Sequence, residues 1–260
     1  MKKLIAAFAA VAAFSAHAET LTVAATPVPH AEILAFVKPA LAKEGVDLQV
    51  KVFTDYIQPN VQVAEKRLDA NFFQHQPYLD EFNKAKGTSL VAVTGVHLEP
   101  LGAYSSKIKD LKDLPSGANV VIPNDATNGG RALLLLAKAG LITLKPGVGY
   151  KATEDDIVAN PKKIKILQVE AVQLVRAYDD ADLVQGYPAY IRLAKTFDAG
   201  SALLFDGLDH KEYVIQFVIQ PKSKDDPRLI KFVDIYQHSP PVRAALDKAH
   251  GKLYQAGWES

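Results

Sequence analysis

Arg131 is the residue whose type and setting say most about chemistry. It follows Thr127-Asn128-Gly129-Gly130, in what reads as the first turn of a helix over Ala126 to Ala139. A cation there opposes the helix macrodipole by roughly 0.3–1 kcal/mol. A bound anion reverses that balance, because a helix N-terminus favours negative charge. Arginine can also grip a carboxylate through two parallel N–H bonds. The two glycines admit a close approach to the backbone. The spacing therefore points to carboxylate capture, against the alternative of an arginine turned outward onto a surface acid.

A second constellation is Asn71-Phe72-Phe73-Gln74-His75-Gln76-Pro77-Tyr78, which gathers aromatic and hydrogen-bonding groups at a strand end. Strand side chains alternate, so Phe72 is expected in a core and Phe73 in a cleft. His75 is open to three readings: metal ligand, general base or neutral hydrogen-bond partner. No H-x-H or H-E-x-x-H spacing supports metal. The paired acids Asp155-Asp156 and Asp179-Asp180 read as solvated loop charge. There is no G-x-S-x-G, no Walker loop, no G-x-G-x-x-G and no cysteine, so these common catalytic and cofactor frameworks are absent. No cofactor and no metal are expected.

The elements that must position these residues alternate between strand and helix. Strands are expected at Leu21–Ala25, Leu48–Phe53, Ala70–Phe73, Leu90–Val96, Asn119–Ile122, Ile164–Val169, Asp182–Val184 and Tyr213–Ile219. Helices are expected at Glu32–Lys43, with Ile33, Leu34, Val37 and Leu41 on one face, and at Asn60–Leu68, with another opened by Pro77. Asp226 to Gly251 reads as two helices broken at Ser239-Pro240-Pro241, and Lys145 to Pro161 as a surface loop region. The alternation implies an α/β fold with largely parallel sheets. A strand end, a polar loop and a proline-led helix recur at Thr26–His30, Asp55–Asn60 and Gln74–Pro77. Ligands in open α/β sheets sit beyond the carboxyl ends of strands, which is where Tyr56, Phe73 and His75 fall. Two lobes are expected, with hinges near Glu99–Tyr104 and Ala202–Asp209.

The first residues carry a secretory pattern. Lys2 and Lys3 precede an apolar run from Leu4 to Phe14, and Ala16-His17-Ala18 offers a small-x-small cleavage site. The run is shorter than the roughly 20 residues that span a bilayer. Cleavage after Ala18 leaves about 240 residues, enough for one large or two small domains. Losing Lys2 and Lys3 lowers the formal charge from +1 by two, to −1. That balance gives no basic footprint for nucleic acid. Without cysteine there is neither a disulfide framework nor an N-terminal residue to carry a lipid.

Several segments together resemble the methionine-binding substrate-binding proteins of ABC importers, the NlpA lipoprotein family. They are Thr26–Ile33, Asp55–Asn60, Asp69–Leu79, Glu99–Ser105, Pro123–Leu133 and Glu170–Arg176, in the family's order. The resemblance implies a two-lobed periplasmic-binding-protein type II fold with a ligand cleft between the lobes. It places Tyr56, Phe73, His75 and Tyr78 around the ligand side chain, and Arg131 on the ligand carboxylate with Asn128 beside it. Where family members carry a ligand-binding Asn in an Ile-Asn segment later in the chain, this chain has Val184-Gln185-Gly186-Tyr187-Pro188, so Gln185 and Tyr187 become candidate contacts. A second family Asn is replaced by Ile215.

The expected organisation is then a signal peptide at 1–18, one lobe from 19–101 with 206–260, and a second from 102–205. The expected function is capture of methionine, a related amino acid or a short peptide in the periplasm, and delivery to an ABC permease with its ATPase. The protein is expected to be soluble, not lipidated and monomeric. The alternatives are a periplasmic enzyme using His75 on a small carboxylate, and a sensor subunit presenting the same ligand.

Overall fold

The structure, a computed structural model, describes residues 18–194 and 198–258. The expected signal peptide lies outside the described residues, apart from Ala18. Among the described residues, no helix is long and apolar enough to cross a membrane.

The chain opens with β1 (Glu19–Ala25), α1 (Glu32–Lys43), β2 (Val46–Val52), α2 (Gln58–Ala64), β3 (Ala70–His75), α3 (Gln76–Lys86) and β4 (Val91–Leu98). It then crosses to a second sheet through β5 (Gly102–Tyr104), β6 (Asn119–Pro123), α4 (Ala126–Lys138), β7 (Thr143–Leu144), β8 (Ile157–Ala159), β9 (Lys165–Val169), α5 (Leu174–Asp180), β10 (Leu183–Gly186), α6 (Pro188–Ile191) and β11 (Leu204–Phe205). A second crossover returns it to the first sheet through β12 (Ile215–Ile219), α7 (Pro227–His238), α8 (Pro240–His250) and β13 (Gln255–Ala256). The first sheet runs β13-β4-β12-β3-β1-β2 and the second β11-β5-β10-β6-β9, while β7 and β8 form a separate hairpin.

Each sheet has its own core. In the first, Ile33, Leu34, Val37 and Leu41 form the buried stripe of α1, as the 3.6-residue period requires. Gly45, at φ +77°, lets the chain turn left-handed straight into β2. Phe72 stands 4.6 Å from Phe217, and Phe217 4.5 Å from Phe232, ring to ring. Truncating one such core aromatic costs about 3–5 kcal/mol. In the second lobe, Val120, Ile122, Leu133, Leu136 and Leu183 are among the side chains that bury α4 against the sheet.

The sheets are less parallel than the alternation suggests. β1 pairs in parallel with β2 and β3, and β6 with β9 and β10. The returning strand β12, however, inserts antiparallel between β3 and β4. The Lys145–Pro161 region is not merely loop. It contributes β8 to the hairpin and two short 3-10 turns, Gly149–Lys151 and Glu154–Asp156. Helix α2 stops at Ala64, four residues short of expectation, because Lys66 adopts φ 62°.

Candidate functional site

The carboxyl end of β3 builds one wall. β3 is buried along its whole length and runs on to His75, two residues past the expected end. A register shift opposite β12 leaves Phe73 unpaired, while Phe72 and Gln74 keep partners. Phe72 enters the core and Phe73 lines a cavity between the sheets. The rings of Tyr56, Phe73 and Tyr78 form a triangle with centroids 5.6, 5.6 and 6.0 Å apart. Behind them lies a buried amide triad. Asn60 donates to Gln74 at 2.9 Å, Asn71 donates to Asn60 at 2.8 Å, and Gln74 donates to Asn71 at 2.8 Å. Satisfied buried networks of this kind fix one geometry.

His75 serves as the N-cap of α3. The Tyr78 backbone N–H donates to its Nδ1 at 3.2 Å, so the ring proton sits on Nε2. Nε2 then donates to the Asn128 carbonyl oxygen at 3.1 Å, across to the second sheet's lobe. Burial, and then the nearby Arg131 charge, lower the His75 pKa to about 4, so the ring is neutral at neutral pH.

The opposite wall comes from α4 and the end of β10. Asp125 caps α4 by accepting from the Asn128 N–H at 2.9 Å, and it also accepts from the Asn128 side chain at 3.0 Å. That turns the Asn128 carbonyl toward His75 and toward Tyr187, whose hydroxyl donates to it at 2.7 Å. Arg131 Nη1 in turn donates to the Tyr187 hydroxyl at 3.1 Å. The polar groups thus form a chain from Arg131 through Tyr187 and Asn128 to His75.

One expectation about Arg131 needs correction. It is the sixth residue of α4, not in the first turn, and the macrodipole has decayed there. Nor is it turned out to a surface acid. It is 2% exposed and ion-paired through Nε with the Asp206 carboxylate, itself nearly buried. Nη2 donates to the Glu99 carbonyl at 3.2 Å, and the Tyr213 ring lies 4.1 Å from the guanidinium carbon. Burial opposes the charge, but Tyr187 and Asp206 more than offset it. Three of its five N–H groups have protein partners among the described residues, leaving one on each terminal nitrogen.

The glycine cue also changes meaning. A Cβ on Gly130 would lie 1.9 Å from the Tyr150 carbonyl oxygen, and one on Gly129 3.0 Å from the Pro123 carbonyl oxygen. The close approach is real, but the chain itself makes it.

The cavity, of about 10 Å³, is lined by Tyr56, Phe73, Gln74, His75, Tyr78, Asn128, Tyr187 and Ile215. Six of the eight residues singled out in the sequence therefore meet here. Arg131 is outside the lining, one hydrogen bond behind Tyr187, and borders a separate crevice with Asp206, Asp209, His210 and Tyr213. Gln185 lies outside the lining, fully buried on β10, with neither amide atom partnered. Gln74 is a lining residue that the sequence did not single out. Its position between Phe73 and His75 was the available signal. Tyr56 and Tyr78 also wall a wider crevice of about 220 Å³ whose other sides include Asp55, Asn124, Asp125 and Glu170. Among the described residues, no group of three His, Cys, Asp or Glu side chains is arranged to hold a metal ion.

Comparison with known proteins agrees with this architecture. The family model described as NlpA lipoprotein matches residues 21–258. The D-methionine-binding lipoprotein MetQ of Escherichia coli (strain K12) is 42% identical over 225 residues, covering 85% of this chain and 82% of the relative. A nutrient binding protein from Burkholderia cenocepacia, solved bound to methionine, superposes with a TM-score of 0.84 at 39% identity, covering 91% of this chain and 99% of that one. An ABC transporter periplasmic substrate-binding protein from Coxiella burnetii gives a TM-score of 0.83 at 36% identity, over 91% and 99% of the two chains. The fold is the two-lobed periplasmic-binding-protein type, with the cavity in the cleft between the lobes. Matched along its described length in both sequence and space, the chain belongs to the NlpA lipoprotein family.

Proposed function

We propose that this chain is a periplasmic solute-binding protein that captures a small amino-acid-like carboxylate, with methionine the first candidate, and delivers it to an ABC permease and its ATPase. The observation that carries this reading is the pairing of the two walls. A triangle of aromatic rings faces a chain of polar groups that ends on a buried arginine with N–H groups to spare. Thioether sulfur makes favourable contacts with aromatic rings of about 0.3–1.5 kcal/mol. The two remaining Arg131 N–H groups suit a carboxylate. Gln185, with its unpartnered carboxamide, is the candidate for a contact that ligand binding completes. The lobes, divided near Leu101 and Asp206, close as hinged bodies on the ligand. The secretory pattern of the first residues supports the periplasmic reading, and the lack of cysteine supports the absence of a lipid.

His75 is better suited to binding than to catalysis. One ring nitrogen caps α3 and the other donates to Asn128, and a pKa of about 4 makes it a weak base. Mass spectrometry of the compound released from gently purified protein tests the reading. Calorimetry with L-methionine, D-methionine and methionyl dipeptides follows. We expect an unmodified amino acid or short peptide to be recovered. Turnover of the recovered compound on incubation with the protein would overturn the binding role, and no heat from any of these ligands would remove methionine as the candidate.

A further inference from the structure

Arg131 touches more than the cavity. Its Nη2 donates to the Glu99 carbonyl, on the first crossover between the lobes. Its Nε pairs with Asp206, on the second. Asp206 in turn binds the two crossovers to each other. Its carboxylate accepts from the Leu101 N–H at 2.8 Å, and its own N–H donates to the Leu101 carbonyl at 3.1 Å. Two turns further along α4, Lys138 donates to the Asp206 carbonyl at 2.9 Å. The helix that carries Asn128 and Arg131 therefore holds both crossovers from one side.

We propose that Asp206 is a positioning residue for ligand capture. It presets the Arg131 guanidinium and joins it to both crossovers, so that a carboxylate arriving at Arg131 acts directly on the hinge. The physical basis is charge and reach. Arg131 is buried and Asp206 nearly so, so each charge is held mainly by the other and little screened by water. Because Asp206 occupies Nε, the guanidinium plane is fixed with its terminal nitrogens toward Tyr187 and Glu99. A ligand that draws on those nitrogens pulls on a group already tied to the first crossover through Glu99 and to the second through Asp206. This inference rests on the lobe closure proposed above, with ligand identity entering only in its second arm.

The chain has no native cysteine, so a labelled pair can be placed without background. Ala85 on α3 and Ala159 on β8 are both exposed, one in each lobe. Spin labels at Ala85→Cys and Ala159→Cys report the interlobe distance in the full mature chain. In ligand-free protein, Asp206→Asn is expected to lengthen and broaden the distance distribution while far-UV circular dichroism stays native. Arg131→Lys, which keeps the charge but cannot reach Asp206 and Glu99 together, is expected to do the same. Should Asp206→Asn fail to fold, Arg131→Lys is read alone. A distribution unchanged from the parent in the folded variants overturns the proposal. In the second arm, L-methionine is expected to dissociate about tenfold faster from Asp206→Asn, within the usual range of coupling between sites. An unchanged dissociation rate from a folded variant overturns it as well. If L-methionine does not bind the parent protein, the ligand assignment fails and the ligand-free distances still decide the role of Asp206.

Discussion

The two walls of the cleft are built on different physics. The wall from β3 and α3 is a surface of aromatic rings held by a buried amide triad within its own lobe, and it crosses to the other lobe through His75 on Asn128 and Glu81 on Lys151. The wall from α4 and β10 is a chain of polar groups anchored by a buried ion pair, and its contacts run into both crossovers. The first wall offers shape and apolar area. The second offers charge and a mechanical link to the hinge. Under the proposed function, specificity for a side chain and commitment to closure fall to different lobes.

That contrast is broken most severely at Arg131. Arg131→Ala is expected to lower affinity for L-methionine by about a thousandfold or more, since a buried charge contact is worth several kcal/mol. It also strands the nearly buried Asp206 without its partner, which costs about 3–5 kcal/mol of stability. Calorimetry and urea unfolding together check both effects. An Arg131→Ala protein that binds normally would place the carboxylate elsewhere.

Acid separates the lobes next. No histidine lies between residues 102 and 205, whereas His30, His75 and His97 are buried on the first lobe's strands and loops. Burial, then the charge of His250, lowers the His30 pKa to about 3. Burial, then His250 and His30, holds His97 well below its usual value, and His75 falls to about 4. Folded pKa values lie below the unfolded ones, so the unfolded chain takes up these protons first as pH falls. The stability they contribute is full above about pH 6.5 and is lost below it. The limiting slope is roughly 1.4 kcal/mol per pH unit for each group, or about 4 kcal/mol for three. Trp258, 6.1 Å from Tyr236, reports the first lobe alone. Its fluorescence in a urea titration is expected to show a falling midpoint from pH 7 to 5, and hydrogen exchange is expected to lose protection in β1, β3 and β4 before β6 and β9. Equal loss in both sheets would contradict the assignment.

The amide triad gives a smaller effect confined to one wall. Asn60→Ala removes a donor and an acceptor from Gln74 and Asn71, leaving buried amides unpaired at a cost of about 2–3 kcal/mol. The urea midpoint measures this. Affinity is expected to fall less than for Arg131→Ala, because the charge contact is untouched.

How much of this was legible depended on the range of the interaction. The α1 stripe, the Gly45 turn and the division of Phe72 and Phe73 between core and cavity follow from local periodicity. The break between α7 and α8 follows from proline chemistry. What was not legible is long-range. The partner of Arg131 is 75 residues away, and the atom pressed on Gly130 belongs to Tyr150. Strands β11 and β13 have two residues each and no period of their own, so only pairing with β5 and β4 creates them. The sequence cue of glycines before an arginine led to a helix that lines the cavity through Asn128, but the glycines themselves serve packing.

The smallest expected effect, and the one that most sharpens the contrast between walls, is at Ile215. It lines the cavity on the aromatic wall's side, paired in the sheet with His75 and His97. The family resemblance places an amide there, and this chain has an apolar side chain. If the first wall reads only shape, then an amide at 215 adds a polar contact that the wall now lacks. Ile215→Asn is expected to raise affinity for L-methionine about tenfold, equivalent to roughly 1.4 kcal/mol. It should leave affinity for 4-(methylthio)butanoate unchanged, because that ligand keeps the carboxylate and thioether but has no α-amino group to meet the amide. Stability is expected to fall, since buried apolar area is exchanged for a polar group. A parallel gain for both ligands in calorimetry would mean that the amide acts on the pocket's shape and not on the amino group. No gain for either would mean that the ammonium is held from the Arg131 side of the cleft, and the division of labour between the walls would then be complete.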